Sequence, residues 1–222
     1  MKISENTINI LKNFSAINGN ILVRPGNVLS TLHQSKTIQA NATVEETFPL
    51  QFAIYELPKL LGVFSLFDDP EIEFGTNQLS IVSGNQTVNY TYTDPSMVIS
   101  PDATKKLVID PAEVSFSITQ SEYQKIIRAA SVLQVPNIIV VGDGSKIKVC
   151  AANAKNPTTN TFSIEVGDTD RIFSVVFRVE NLIKLLPMNY DVKINFRGIS
   201  SFVGTNIQYF ISIEQNESRF NS

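Results

Sequence analysis

"FAIYELPKLL", Phe52 to Leu61, alternates like a strand and then takes helical spacing, with no glycine between the two halves. Nearly the same text returns as "FRVENLIKLL", Phe177 to Leu186. Phe52, Leu57, Lys59, Leu60 and Leu61 meet Phe177, Leu182, Lys184, Leu185 and Leu186 at a single offset of 125. Leucine-rich text can produce such coincidences by chance, so the elements around each copy must decide whether this is a repeat.

They agree. Ile3, Thr7, Ile10, Leu11, Phe14 and Ile17 recur at three- and four-residue steps behind Ser4, which predicts a capped amphipathic helix ahead of the first copy. Short strand-like runs follow: "ILVRP", "VLSTLH", "TIQANATV" and "FPLQFAIY", with a turn at Pro25-Gly26. A helix over Glu56 to Phe67 and three more strands, "EIEFG", "LSIVSG" and "QTVNYTYT", close the first half. In the second half "EVSFSI" precedes "TQSEYQKIIRAASVL", a helix opened by a Thr119/Glu122 capping box. "NIIVVG" and "SKIKVCAA" form a hairpin at Asp143-Gly144. "TFSIEVG", "RIFSVVFRV", a helix over Glu180 to Leu186, "DVKINFRG", "SSFVGT" and "IQYFISIE" complete it. The first helices match at an offset of 116, where Leu11, Lys12 and Ser15 meet Ile127, Arg128 and Ser131. Residues 94–111 hold three prolines and no period, which predicts a connector between a domain over 1–93 and a similar one over 112–222.

Composition bounds the chemistry. The chain has 222 residues, 43% of them hydrophobic and 18% charged, enough for a core in each half. A net charge of −3 offers no global basic field to nucleic acid or anionic lipid. One cysteine, Cys150, excludes an intrachain disulfide and, with the single His33, a Cys/His zinc site; a reducing compartment is the easy reading. No run of about 18 apolar residues occurs and the first residues lack a signal-peptide pattern, so neither export nor a membrane span is expected. "GDGSK" at Gly142 to Lys146 lacks the phosphate-loop spacing and reads as a turn. His33 has no catalytic motif around it and reads as a surface strand residue. Asp68/Asp69 and Asp168/Asp170 read as turn caps rather than metal ligands. No enzyme, cofactor or metal is expected.

What remains is positive charge on the helices. They carry Lys12, Lys59, Lys125, Arg128 and Lys184 against Glu5, Glu56, Glu122 and Glu180, every acid falling in a first turn. Complementing the helix dipole explains that order. It does not by itself explain matched bases in both copies.

"LKNFSAIN" near the start, "FAIYELPKLLGVFSLF", "DPSMVISP" in the connector and "LLPMNYDVKI" late in the chain together resemble the DNA polymerase sliding clamps of T-even-type bacteriophages, over essentially the full length and in the same order. The resemblance implies an α+β fold of two tandem clamp domains, antiparallel sheets outside and two helices per domain inside. It implies a homotrimer closed head to tail around double-stranded DNA, the strand near Gln86–Thr93 meeting the strand near Thr161–Val166 of the next subunit. It places Lys12, Lys59, Lys125, Arg128 and Lys184 toward phosphates, without sequence preference. It implies a replicative polymerase and an ATP-dependent clamp loader as partners, a partner-peptide pocket at Met97, Val98 and Ile99, and work in the cytoplasm of an infected host cell. The competing reading is a β-rich structural or attachment protein of a virion, for which short strands and Asn/Thr-rich turns are equally natural.

Overall fold

A computed structural model describes residues 1–220, which divide into two units, Met1–Lys105 and Lys106 onward. Among the described residues no helix is long and apolar enough to cross a membrane.

The first unit opens with α1 (Glu5–Ile17), whose Ser4 cap accepts the Thr7 N–H at 3.2 Å. Its buried stripe is Thr7, Ile10, Leu11, Phe14 and Ile17. The strands are β1 (Ile21–Val23), β2 (Gly26–Leu32), β3 (Ile38–Phe48) and β4 (Phe52–Ile54); then come α2 (Leu57–Phe64), β5 (Glu71–Phe74), β6 (Gln78–Ser83) and β7 (Gln86–Thr91). β1 pairs with β4, β2 with β3, and β5-β6-β7 form a meander, all antiparallel. Gly26 opens β2 at φ +113°, a value that favours glycine and makes the Pro25-Gly26 turn. β3 runs four residues past the expected Val44, because Phe48 is buried as Ile38, Ala40, Ala42 and Val44 are. His33 lies beyond the end of β2, not in it, and its Nδ1 sits 2.8 Å from the Ser35 hydroxyl in the β2–β3 turn.

The second unit contains β8 (Val114–Ile118), α3 (Gln120–Leu133), β9 (Asn137–Asp143), β10 (Lys146–Ala152), β11 (Phe162–Asp168), β12 (Ile172–Arg178), α4 (Val179–Leu182), β13 (Tyr190–Asn195), β14 (Ile199–Val203), β15 (Ile207–Ser212) and β16 (Arg219–Phe220). One antiparallel sheet runs β11-β10-β9-β12-β16; β15, β14, β13 and β8 are antiparallel neighbours in another. The capping box is present in full, Thr119 N donating to Glu122 Oε2 at 2.9 Å and Glu122 N to Thr119 Oγ1 at 3.3 Å. In the β9–β10 hairpin the loop residues are Gly144 and Ser145, one step later than the Asp143-Gly144 signal suggested. Asp143 stays on the strand and accepts the N–H groups of Lys146 and Ser145, which with Lys148 hold its carboxyl down at about 2. β16 is not foreshadowed in the sequence, because two residues show no period.

The duplication is visible in the packing. Thr7, Ile10 and Phe14 of α1 occupy the buried positions of Tyr123, Ile126 and Ala130 in α3, at the same offset of 116. Leu57 and Leu60 are buried as Leu182 and Leu185 are, at 125.

Candidate nucleic-acid interface

Burying one stripe of α1 sends Lys12 to the solvent face, and burying Tyr123, Ile126 and Ala130 does the same for Lys125 and Arg128 on α3. Lys12 and Arg128 thus stand at equivalent exposed positions of equivalent helices. Lys59 is exposed on α2 and makes a 3.3 Å ion pair with Glu56, one turn away. Lys125 and Arg128 border the same open hollow; Lys12, Lys59 and Lys184 lie on other elements.

Lys184 departs from expectation. The helix expected over Glu180–Leu186 is a single turn, Val179–Leu182, and Lys184 sits half-buried in the tighter turn after it, its N–H bonded to the Asn181 carbonyl at 3.3 Å. Pro187 is the physical reason: it disfavours helical geometry at Leu186. The carbonyls so released are met by phenols. Tyr123 Oη lies 2.6 Å from the Leu182 carbonyl and 3.2 Å from that of Leu185, Tyr190 donates to the Leu186 carbonyl, and Tyr209 Oη accepts the Leu186 N–H at 3.2 Å. Burial pushes all three phenols up, well away from ionisation at neutral pH. These tyrosines fix the backbone that carries Lys184. Their wide spacing in the chain hid that role.

In the connector a short 3-10 turn covers Pro95–Met97, with Asp94 accepting the Ser96 N–H at 2.8 Å. Of the apolar run, Met97 is 60% and Ile99 39% exposed, whereas Val98 is buried against Leu22 and Ala53. The Ile99 backbone is clamped by Asn20 Oδ1 on its N–H (3.0 Å) and Asn18 Nδ2 on its carbonyl (3.2 Å). Val98 therefore anchors the connector, and of these three residues Met97 and Ile99 offer apolar surface.

The hollow beside Lys125 and Arg128 holds about 460 Å³ and is otherwise lined by Thr161 and the apolar Ala129, Val132, Leu133 and Phe162. Val132, 73% exposed, falls off the buried stripe of α3, the one sequence signal that could have marked it. Phe162 begins β11, the terminal strand of its sheet; β7 is terminal in the other unit's meander. Among the described residues no three His, Cys, Asp or Glu side chains gather as metal ligands do.

Two units, each with a long helix, strands, a short helix and more strands, are the plan of a DNA clamp. The backbone is similar to that of PCNA from A. fulgidus, solved with the C-terminal region of FEN-1 bound, at a TM-score of 0.70 and 12% identity over 100% of this chain and 98% of that one. It is also similar to the DNA polymerase III subunit beta from Pseudomonas aeruginosa, TM-score 0.68 and 11% identity, where 94% of this chain spans 62% of the other, less than two thirds of its length. Within that class the sequence is more particular. Residues 3–100 match the family described as DNA polymerase processivity factor, and residues 115–215 match gp45 sliding clamp, C terminal. The sliding clamps of Vibrio phage KVP40 and Enterobacteria phage T4 are 29% and 27% identical, over 96% and 98% of this chain and 99% of each relative. The chain belongs to the sliding-clamp family of T4-like phages, the processivity factors of DNA polymerase. The virion-protein alternative finds no support among these relatives.

Proposed function

We infer that three copies of this chain close head to tail around duplex DNA, with Lys12, Lys59, Lys125, Arg128 and Lys184 turned toward the phosphates. The observation that carries this reading is the pairing of bases across the repeat: Lys12 and Arg128 stand at equivalent exposed helix positions, Lys59 and Lys184 at equivalent places in the sequence, and no local helix-dipole argument requires that they match. Bases that meet only phosphate hold the duplex without reading it, as a sliding protein needs. Ring closure is supported by β7 and β11, which end their sheets with unpaired edges that invite another strand; the apolar hollow at Phe162 and Val132 lies beside the second. The domains are proposed as 1–93 and 112–222 about a connector over 94–111.

The polymerase is held on the outside, and an ATP-dependent loader opens and closes the ring, in the cytoplasm of the infected host cell. The clamp itself is no enzyme: it tethers. Met97 and Ile99 form the exposed rim of the partner-peptide pocket, with Val98 beneath them as its fixed floor. A Met97→Asp, Ile99→Asp variant keeps that anchor and should lose polymerase-peptide affinity with the ring intact; unchanged affinity would move the pocket elsewhere.

The deciding experiment replaces all five bases by alanine. Lys12, Lys59, Lys125 and Arg128 are exposed, and such charges contribute about 0–1 kcal/mol each to stability, so with Lys184 the single half-buried base of the five, sedimentation should still show the wild-type assembly. Processivity on primed circular DNA should fall. The salt dependence of DNA binding should flatten by roughly 0.9 log units per phosphate contact removed. Full processivity with an unchanged salt slope would remove these residues from the DNA interface.

A further inference from the structure

The two copies of the repeat differ at one registered position. In the first unit Leu22 of β1 stands opposite Ala53 of β4, and Val98 of the connector fills the seat between them. Phe52 corresponds to Phe177, so Ala53 corresponds to Arg178; the strand partner of Arg178 is Asn137, which therefore takes the place of Leu22. The first seat is covered by an extended piece of the same chain. The second is the floor of an open pocket of about 380 Å³, bordered by Pro136, Asn153, Lys155 and Glu217.

The backbone repeats the correspondence. Thr93 N donates to the Ala53 carbonyl at 3.0 Å, so the connector joins β4 at its outer edge. On β12 the outer edge is engaged at Val176, whose carbonyl accepts Glu214 N at 2.8 Å and whose N–H reaches the Ser218 hydroxyl at 3.0 Å. Strand geometry turns the N–H of Arg178, two residues on, to the same side, while its carbonyl opens α4. In the first unit an asparagine amide, Asn18 Nδ2, grips the connector's backbone. In the second, Asn137 and Asn153 spend Oδ1 on the N–H groups of Ala154 and Lys155, which leaves each Nδ2 to donate.

We propose that this pocket is a second peptide-docking site, taking an extended segment of a partner protein at the Arg178 end of β12, beyond the stretch that β16 and Ser218 cover, as the connector meets β4 at Ala53. The seat specifies its central residue. Leu22 and Ala53 accept valine; an amide and a guanidinium in their place call for a polar, uncharged side chain such as glutamine. A charged one is disfavoured, because Arg178 is already held by Glu214 (2.9 Å) and Glu180 (3.2 Å) and Lys155 by Glu217 (3.1 Å), so no ion is left short of a partner. The site is remote in sequence from Met97 and Ile99 and needs no DNA, so it stands or falls apart from the ring.

The test uses the whole chain and two peptides, TDPSMVISP, which copies residues 93–101, and the same peptide with glutamine at the Val98 position. The connector already fills the first seat, so an added peptide should reach only the second. Amide resonances of residues 136–138, 153–155 and 178–180 should shift saturably, with the glutamine peptide binding several-fold more tightly. Asn137→Leu with Arg178→Ala rebuilds the first seat and should reverse the preference. Arg178→Ala alone, which spares the buried Asn137, should lower glutamine-peptide affinity if the double variant misfolds. Shifts confined to the connector, no saturation with either peptide, or equal affinities in wild type and Arg178→Ala would overturn the proposal. So would shifts at the pocket that follow protein concentration without peptide, which would assign it to a second copy of this chain.

Discussion

The two units set equivalent helices in place with different bonds. In the first, the start of α1 is locked from far along the chain: Glu46 on β3 accepts the Ser4 N–H through one oxygen and the Thr7 hydroxyl through the other. In the second, the start of α3 is locked by its own third residue, Glu122. The short helices reverse the pattern. α2 makes its own turns over eight residues, whereas α4 makes one and leans on three phenols from α3, β13 and β15. The shared requirement is where the helices sit and which way their bases face; the contacts that meet it are free to differ.

That contrast can be broken at the tyrosines first. Tyr123→Phe leaves the aromatic ring in place and removes the donor shared by Leu182 and Leu185, at a cost of about 1–3 kcal/mol, chiefly at the Leu185 carbonyl, since that of Leu182 keeps the Leu185 N–H. Amide exchange should accelerate around residues 182–190 and stay unchanged in α2. Equal acceleration in both would mean that the phenol is not what holds α4.

A smaller effect is expected at the helix starts. Glu46→Ala removes both locks on α1 and should cost about 1 kcal/mol, the usual scale of a lost cap, with faster exchange at Thr7 and Ile8. Glu122→Gln should cost less, because glutamine also serves in a capping box. If Glu122→Gln proved the worse of the two, the long-range lock would be redundant.

The smallest effect is in acid. Burial raises the Glu46 carboxyl, but the bonds from Ser4 and Thr7 outweigh it and leave the group below its ordinary value; the backbone and hydroxyl of Thr119 lower Glu122. A depressed carboxyl stabilises the fold fully above the unfolded value, near 4.5, and that contribution fades as pH falls through the folded value. Stability should thus be flat from neutral pH to about 5 and decline below 4.5. In Glu46→Gln the decline should be shallower; an unaltered slope would rule out Glu46 as a contributor.

Local chemistry was the legible part of this molecule. Ser4, the Thr119/Glu122 box, the Pro25-Gly26 turn and the alternation in β3 act over a few residues, and each produced the element it signals. The length of α4 was not legible, because Leu182, Leu185 and Leu186 look like one helical face until Pro187 and the phenols are weighed together. Nor was the burial of Val98, since Leu22 and Ala53 are far from it in the chain. The bases were legible as a matched set; that Val132 and Phe162 would border Lys125 and Arg128 was not.

The phenols under α4 also have an optical consequence. The chain has no tryptophan and six tyrosines, so its near-ultraviolet circular dichroism rests largely on tyrosine, and rigid asymmetric packing is what makes such rings dichroic. Tyr123, Tyr190 and Tyr209 are buried, with Tyr190 edge to face against each of the other two, whereas in the first unit Tyr55 is 55% exposed and Tyr90 and Tyr92 are half-buried, Tyr92 stacked on Phe52. The signal should therefore report the second unit above the first, fading when the floor beneath Lys184 loosens even while the far-ultraviolet spectrum of the sheets persists.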